Sequence, residues 1–259
     1  MKVVVMTGAA GRIGTTLREA WHGRFPLRLV DTQDLGVERE GEETLVVDLA
    51  DFTATQRAVG GAEVVVHLAA IPSEDRFARL LAANVAATYN VFEASRQARV
   101  RRVVFASTNH VTGFYTSAER VGPDDPVRPD SLYAVTKVFG EALGRLYADK
   151  WGLEVVCLRI GAFGEKPGDA DALPMWLSPG DAVRLFTRAL VAPEVGFLVA
   201  YGVSRIPCSW WDNPGGAALG YEPVDEVEPE LQRALASERS PGGGLQGGRF
   251  TDRDYWVEP

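Results

Sequence analysis

The fold of this chain is decided by one stretch near its start, Val3-Val4-Val5-Met6-Thr7-Gly8-Ala9-Ala10-Gly11-Arg12-Ile13-Gly14. An apolar run typical of a buried strand leads into a glycine turn, and Arg12–Trp21 then has the pattern of a helix. Glycines at such a turn let the backbone approach a pyrophosphate, and the free N–H groups of the helix start can bind it. The stretch therefore predicts a dinucleotide cradle, rather than a plain turn, formed by Gly8, Gly11, Arg12, Ile13 and Gly14.

Short β-rich runs alternate with longer helical runs as far as residue 160. The predicted strands are Val3–Thr7, Leu27–Asp31, Thr44–Asp48, Val64–Ala69, Val103–Ser107 and Glu154–Ile160. The predicted helices are Arg12–Trp21, Arg76–Arg99, Ser131–Trp151 and a segment from Pro179 to about Val191. This alternation predicts an α/β fold, a Rossmann-type doubly wound parallel sheet with helices on both faces. Ligands of such sheets bind beyond the carboxyl ends of the strands.

The alternation weakens after Gly161, where glycine, proline and aspartate cluster. The last third of the chain is too short to be a comfortable independent domain. We therefore expect a single-domain protein with a dinucleotide-binding core at residues 1–160. Residues 161–259 are expected to form a small C-terminal cap on the substrate side of that core.

Composition excludes several classes of protein. A net charge of −8 over 259 residues argues against a nucleic-acid partner, which requires a basic face. No apolar stretch is long enough to span a bilayer, and the first residues resemble a strand rather than a secretory signal. Cys157 and Cys208 lack metal-like spacing, which predicts reduced thiols, no metal site and a cytoplasmic location.

The end of the second predicted strand bears on the choice of cofactor. Asp31 lies there, and a carboxylate at that point accepts hydrogen bonds from the adenosine ribose and repels a 2′-phosphate. This favours NAD over NADP. Arg12 complicates the prediction, because an arginine in the glycine loop can neutralise a phosphate.

Two further segments are expected to line the cofactor site. Asp48 and Leu49 follow the third strand, where they can meet the adenine, although Asp48 can instead cap a helix. The run His67-Leu68-Ala69-Ala70 closes the fourth strand, and His67 is predicted to be packed rather than catalytic. The small residues after it leave room for a cofactor, and they are Leu68, Ala69 and Ala70.

The sequence Tyr133-Ala134-Val135-Thr136-Lys137 predicts the catalytic group. Tyr133 and Lys137 are four residues apart on a predicted helix and therefore share one face. A phenol with an ordinary pKa near ~10 is a poor base, but an adjacent ammonium and a cationic nicotinamide favour the phenolate. We expect Tyr133 to exchange a proton as hydride moves. Lys137 can also hold the nicotinamide ribose, and Thr108 (or Ser107) can hydrogen-bond the reacting oxygen.

Three polar residues near this group allow two interpretations each. Asn109 and His110 follow the fifth strand and are candidate contacts for substrate hydroxyls, although His110 can also be a satisfied loop histidine. Asn84 interrupts an apolar helical stretch, and we expect it to tie that helix to a neighbouring strand rather than to relay protons.

These motifs resemble the extended short-chain dehydrogenase/reductases (the NAD-dependent epimerase/dehydratase family), and in particular bacterial uronate dehydrogenases, over nearly the whole chain. The resemblance implies oxidation of the anomeric carbon of a hexuronate with NAD. It also implies Tyr133 as base, Lys137 as its partner, Thr108 as hydroxyl helper, and a homo-oligomer. It rests on Phe105–His110, Glu119–Asp124, Arg128–Asp130, Leu132-Tyr133, Lys137, Phe139–Glu141, Arg159–Gly161, Trp210–Asn213 and Gly247-Gly248.

The chain departs from that family where the substrate carboxylate should be held. Uronate dehydrogenases have a serine where this chain has Ala162, and a further serine where it has Pro72. A gap-free alignment places Asp171 at the position of their arginine. A carboxylate in place of a guanidinium would repel a uronate. Unless Arg76 or a shifted loop supplies a substitute cation, the small-molecule ligand at Pro72, Ala162 and Asp171 is expected to be a neutral sugar, a cationic sugar or a different hydroxylated molecule.

Several functions fit these observations. The first is an NAD-dependent dehydrogenase or reductase of a sugar-like hemiacetal or alcohol. The second is a nucleotide-sugar epimerase or dehydratase, or a reductase of another hydroxylated metabolite, although the segment after Arg159 is short for gripping a nucleotide diphosphate. The third is a non-catalytic dinucleotide sensor, against which the intact Tyr133 and Lys137 argue.

Overall fold

The structure is a computed structural model that describes residues 3–238 and 244–257. Seven parallel strands form one sheet in the order β3-β2-β1-β4-β5-β6-β9. The strands are β1 Val4–Thr7, β2 Leu27–Asp31, β3 Glu42–Val46, β4 Val64–His67, β5 Arg102–Thr108, β6 Glu154–Ile160 and β9 Phe197–Gly202. Two short strands, β7 (Ala162–Phe163) and β8 (Trp176–Leu177), pair beside it. The predicted fold class is confirmed.

Helices cover both faces of the sheet. The principal helices are α1 Arg12–Trp21, α2 Phe52–Val59, α3 Phe77–Leu80, α4 Ala87–Gln97, α5 Leu132–Trp151, α6 Pro179–Val191, α7 Pro214–Ala218 and α8 Pro229–Glu238. Helices α1 and α6 pack on one face, while α2, α4 and α5 pack on the other. Side chains alternate between the faces along β1, because Val4 and Met6 join the first core and Val5 joins the second. None of the helices among the described residues is long and apolar enough to cross a membrane.

Several predicted boundaries coincide with the structure, and others move. Helix α1 and strands β2 and β6 have the predicted ends. The third strand is Glu42–Val46 rather than Thr44–Asp48, because the chain turns at Asp48, whose carboxylate accepts the Ala50 N–H at 2.9 Å. Strand β4 ends at His67 rather than Ala69, and β5 gains one residue at each end, Arg102 and Thr108.

The predicted helix Arg76–Arg99 is three helical pieces. Helices α3 and α4 flank a π-helical turn at Leu81–Ala86, which contains Asn84. The Asn84 side chain accepts the Ile71 N–H at 2.8 Å and donates to the Thr136 hydroxyl at 3.1 Å. Asn84 thus ties this helix to the segment after β4 and to α5, in agreement with its predicted structural role.

After residue 160, the sequence pattern predicted helix α6 but missed strand β9. Strand β9 extends the central sheet beside β6, and α6 fills the core on one face. Residues beyond 160 therefore complete the sheet as well as covering its carboxyl edge. The pattern also missed α2 and α8, which begin after Asp51 and at Pro229.

Candidate active site

Two adjoining cavities lie at the carboxyl edge of the sheet, with volumes of about 410 Å³ and about 460 Å³. We call the first the Tyr133 cavity, because Tyr133, Lys137 and Thr108 line it. We call the second the Asp31 cavity, because Asp31, Asp48 and Leu49 line it. Both are lined by Gly8, Gly11, Arg12, Leu68, Ala70 and Pro72, so that they form one continuous cleft.

The glycine turn after β1 is sterically fixed. Gly8 has a φ of +71°, and a Cβ there would lie 2.6 Å from the Ala69 nitrogen. A Cβ on Gly14 would lie 2.5 Å from the Gly8 carbonyl oxygen. Helix α1 begins without a side-chain cap and without an acidic residue in its first turn. Its free N–H groups and positive dipole end therefore fit the diphosphate of a dinucleotide.

Asp31 lines the Asp31 cavity, and two backbone N–H groups hold its carboxylate. Its Oδ2 accepts the Ala10 N–H at 2.9 Å, and its Oδ1 accepts the Gln33 N–H at 3.1 Å. These bonds hold the carboxylate at the edge of the Asp31 cavity, where it can accept hydrogen bonds from a ribose. Asp48 and Leu49 line the same cavity, as expected for an adenine contact. Asp48 does not cap helix α2, because the residue that caps this helix is Asp51.

His67 is packed beneath the cleft. Its Nδ1 lies 2.8 Å from the Thr7 hydroxyl, and its Nε2 lies 3.1 Å from the Thr88 hydroxyl. Burial lowers the pKa of His67 to about 3. The ring is therefore neutral near pH 7 and acts as a structural link between β1, β4 and α4.

Tyr133 lies in the first turn of α5, at the wall of the Tyr133 cavity. Ser131 caps this helix by accepting the Ala134 N–H at 3.2 Å, and Glu74 accepts the Tyr133 N–H at 3.0 Å. Burial raises the pKa of Tyr133 to about 12, although a hydrogen bond with the Thr108 side chain lowers it. The nearby Asp130 raises it further. Lys137 does not offset this rise, and the lowering expected from the lysine together with a cationic nicotinamide stays a prediction.

The charge on Lys137 bears on why this lysine does not lower the pKa of Tyr133. Burial lowers the pKa of Lys137 to about 7, so the amine carries only part of a positive charge near neutral pH. Its Nζ donates to the Ala106 carbonyl at 2.8 Å and lies 5.8 Å from the centre of the Tyr133 ring. The two side chains share one helix face, as predicted, but the amine points toward the end of β5.

His110 is held on two sides. Its Nδ1 lies 2.7 Å from Oδ2 of the buried Asp130, and the Phe250 ring stacks on it with centroids 3.8 Å apart. A carboxylate on Nδ1 favours the tautomer that leaves Nε2 as the other hydrogen-bonding atom. His110 and Asn109 both line the Tyr133 cavity, and the Asn109 amide also contacts the Met175 sulfur at 3.4 Å.

The C-terminal segment (residues 244–257) was missed by sequence reasoning as part of this site. The buried Gln246 anchors it, accepting the Trp211 indole N–H at 3.1 Å and donating to the Thr116 and Glu119 carbonyls. Phe250 then stacks on His110, and Tyr255 lies against Phe250 with centroids 4.2 Å apart. The sequence feature that could have identified this segment as part of the site was its aromatic residues within a glycine-containing tail.

The three residues predicted at the carboxylate end of the substrate, Pro72, Ala162 and Asp171, are separated in space. Ala162 lines the Tyr133 cavity, and Pro72 lines both cavities. Asp171 lines neither; it is exposed and lies beside Gly248 of the C-terminal segment. Within residues 3–238 and 244–257, the lysine and arginine side chains that line the Tyr133 cavity are Lys137 and Arg12.

This chain is similar in sequence to a known family and to known proteins. The model of the NAD dependent epimerase/dehydratase family matches residues 4–177. A uronate dehydrogenase from Pseudomonas putida is 38% identical over 95% of this chain and 94% of its own length. An L-arabinose 1-dehydrogenase (NAD(P)(+)) from Haloferax volcanii is 40% identical over 74% of this chain and 84% of its own.

Among solved structures, a tyrosine-to-alanine mutant of uronate dehydrogenase from Agrobacterium tumefaciens, complexed with NAD, has a TM-score of 0.92. It is 38% identical, and the similarity covers 100% of both chains. The resemblance inferred from the sequence motifs is confirmed.

Proposed function

Because this chain belongs to the NAD-dependent epimerase/dehydratase family, we propose that it oxidises a sugar at its hydroxyl-bearing anomeric carbon with NAD. The observation that carries the proposal is the hydrogen bond between Thr108 and Tyr133 at the wall of a cavity continuous with the glycine cradle. A hydroxyl pair at that place can hold one substrate oxygen and exchange its proton. The full-length similarity to uronate dehydrogenases supports the same class of reaction.

The residues of the Tyr133 cavity have distinct roles in this proposal. NAD, when bound, supplies the hydride acceptor and a positive charge on its nicotinamide ring. Tyr133 takes the proton of the anomeric hydroxyl, and Thr108 holds that hydroxyl oxygen in place. Since burial raises the pKa of Tyr133 to about 12, Tyr133 becomes an effective base only with added positive charge nearby. Lys137, with a pKa of about 7, can supply part of that charge by taking up a proton.

Further roles follow from the positions of polar groups. The Asp130 carboxylate fixes His110 so that its second nitrogen can bind a sugar hydroxyl, and Asn109 offers its amide to the same cavity. Asp31 selects NAD over NADP, because its charge opposes a 2′-phosphate. The glycine turn and the start of α1 bind the diphosphate.

The sugar is proposed to lack a carboxylate. Ala162 and Pro72 provide no hydrogen-bond donor side chain in the cleft, and Asp171 is a carboxylate beside Gly248 that lines neither cavity. A uronate would therefore lose most of its charge-assisted hydrogen bonds. Aldoses with a hydroxymethyl group, or pentoses, fit the cavity without that loss.

We also propose that the protein forms homo-oligomers through α3, α4 and α5. Large apolar side chains are about half exposed along this surface: Phe77, Leu81 and Tyr89 on the first helical stretch, and Val135, Leu146 and Trp151 on α5. Exposed apolar groups of this extent are typical of protein interfaces. Sedimentation equilibrium of the whole chain tests the proposed homo-oligomer, and a purely monomeric species would contradict this proposal.

A matched substrate panel tests the proposed function. NADH formation is measured with D-galactose, D-glucose and L-arabinose, and with D-galacturonate and D-glucuronate, which differ from the hexoses in their carboxylate. We expect the best neutral sugar to exceed the uronates in kcat/KM by at least about tenfold, as for a lost charge-assisted contact. Faster oxidation of a uronate would overturn the proposed substrate class.

The same preparation separates oxidation from epimerisation. The denatured protein is assayed for bound NAD, because an epimerase or dehydratase recycles a tightly held cofactor. Net NADH formation with little retained NAD supports the dehydrogenase. Stoichiometric retained NAD without net NADH would contradict it.

A further inference from the structure

Arg12 crosses the cleft between its two cavities. It is the first residue of α1, and its Nη2 donates to the Phe163 carbonyl oxygen at 2.7 Å. The guanidinium also lies over the Phe163 ring, 5.4 Å from its centre. Arg12 thereby joins the glycine cradle after β1 to strand β7, since its hydrogen-bond partner Phe163 lies 151 residues later in the chain.

Strand β7 forms part of the wall around the substrate end. Ala162 and Phe163 both line the Tyr133 cavity, and β7 pairs with β8. The next residue, Gly164, donates its N–H to the Leu177 carbonyl at 3.0 Å. The position of this short strand therefore affects the wall of the Tyr133 cavity, which Tyr133 and Thr108 also line.

The charge of Arg12 is available for an anion. Arg12 is exposed, lines both cavities, and forms no ion pair with a carboxylate within residues 3–238 and 244–257. One N–H of its guanidinium holds the Phe163 carbonyl, and a guanidinium has five N–H donors. The diphosphate seat at the start of α1 is adjacent, because Arg12 itself opens that helix.

We propose that Arg12 is a positioning residue that couples the two cavities: it binds the cofactor diphosphate while holding β7 against the Tyr133 cavity. Cofactor binding then fixes the guanidinium, and the guanidinium fixes the wall of the substrate end. The guanidinium of an arginine is planar and has several N–H donors, so it can bind an anion and a carbonyl together. The ammonium of a lysine is compact and cannot reach both groups at once. The inference rests on the proposed use of NAD but not on the identity of the sugar.

ADP-ribose tests the first half of the inference without turnover. It carries the diphosphate and both riboses but no nicotinamide, and its Kd is measured by calorimetry together with that of adenosine. We expect Arg12→Gln to weaken ADP-ribose by about tenfold, as for one charge-assisted hydrogen bond, and to leave adenosine nearly unchanged. Arg24→Gln is the control, because Arg24 is exposed and lies over Phe25 rather than over the cleft.

Amide hydrogen exchange tests the coupling. In the natural protein and in Arg24→Gln, saturating ADP-ribose should slow exchange of the Gly164 amide and its β7–β8 neighbours by at least about threefold. In Arg12→Gln, the same saturation should leave exchange there unchanged. Arg12→Lys should retain part of the ADP-ribose affinity but lose the added protection.

Two results would overturn the inference. One is equal ADP-ribose affinity in Arg12→Gln and Arg24→Gln. The other is equal added protection of β7 at saturation in both variants. Neither readout depends on sugar oxidation, so a failed substrate panel leaves this test intact, and a failed test here leaves the proposed reaction in place.

Discussion

The Asp31 cavity and the Tyr133 cavity are built in different ways. The Asp31 cavity is formed by backbone turns at the ends of adjacent strands, with Asp31 held by neighbouring N–H groups. The Tyr133 cavity is assembled from β5, α5 and β7, and its residue His110 is packed against the C-terminal segment. The first depends on local geometry, whereas the second depends on side chains that are far apart in sequence.

This difference bears on how each cavity can change. Glycine positions such as Gly8 and Gly14 have no room for a larger side chain, so the cradle tolerates little variation. Ala162 and Pro72 lie on segments where side chains can change without altering the sheet. A family member can therefore retain its cofactor and acquire another substrate.

The largest expected effect separates chemistry from cofactor binding. Tyr133→Phe removes the proton-exchanging hydroxyl but retains the ring, so we expect kcat to fall by about 100-fold or more. NAD binding, measured by calorimetry, should be nearly unchanged. Tyr147→Phe is the matched control on the same helix, since the Tyr147 hydroxyl bonds Glu93 rather than facing the cleft. Surviving turnover in Tyr133→Phe would move the proton route to another group.

The second prediction concerns the substrate end alone. The double variant Ala162→Ser and Asp171→Arg places a hydroxyl in the cavity and a guanidinium beside Gly248. We expect kcat/KM for D-galacturonate to rise by about tenfold relative to D-galactose, while the Kd for NAD is unchanged. Glu165→Arg, an exposed change of equal charge on the same loop, should have no such effect. An unchanged ratio would remove Asp171 from the substrate site.

The third prediction concerns the Asp31 cavity alone. Asp31→Ala removes a carboxylate that opposes a 2′-phosphate, so kcat/KM for NADP relative to NAD should rise by about tenfold or less. Asp34→Ala, on the following loop, is the control. An unchanged cofactor preference would show that Asp31 does not select the cofactor.

The last prediction concerns stability and follows from two buried bases. Burial lowers the pKa of Lys137 from 10.5 to about 7, so between these pH values the unfolded chain holds a proton that the folded protein lacks. Stability should therefore rise as pH increases from about 7 to 10.5. Burial likewise lowers the pKa of His67 from 6.5 to about 3, so stability should fall as pH decreases through that range.

Urea unfolding across pH checks both slopes. Lys137→Met should flatten the alkaline slope, and His67→Gln should flatten the acidic one. Retention of either slope in its variant would assign the titration to other groups.

The sequence predicted the parts of the site that depend on local patterns. The cradle, the pairing of Tyr133 with Lys137, and the presence of Asp31 at the end of β2 follow from spacing within one turn or one helix. The raised pKa of Tyr133 did not follow, because it depends on burial by distant segments. Strand β9 was missed because Phe197–Gly202 is a short run inside a region rich in turn residues.

At the substrate end, too, local sequence patterns did not predict contacts between distant residues. The contact of Phe250 with His110 joins residues 140 positions apart, and no periodic pattern indicates it. The gap-free placement of Asp171 gives a residue beside Gly248 rather than one that lines the cavity. Loop paths of this kind depend on packing against the C-terminal segment.

The central claim is that hydride leaves the anomeric carbon of a sugar for NAD under control of Tyr133. Its most direct test is oxidation of D-galactose, L-arabinose or D-galacturonate, whichever reacts fastest, deuterated at C1. We predict NADH that carries one deuterium and a slower rate with the labelled sugar, and NADH formation at least about 100-fold slower in Tyr133→Phe. Unlabelled NADH, or deuterium retained in the sugar product, would contradict it.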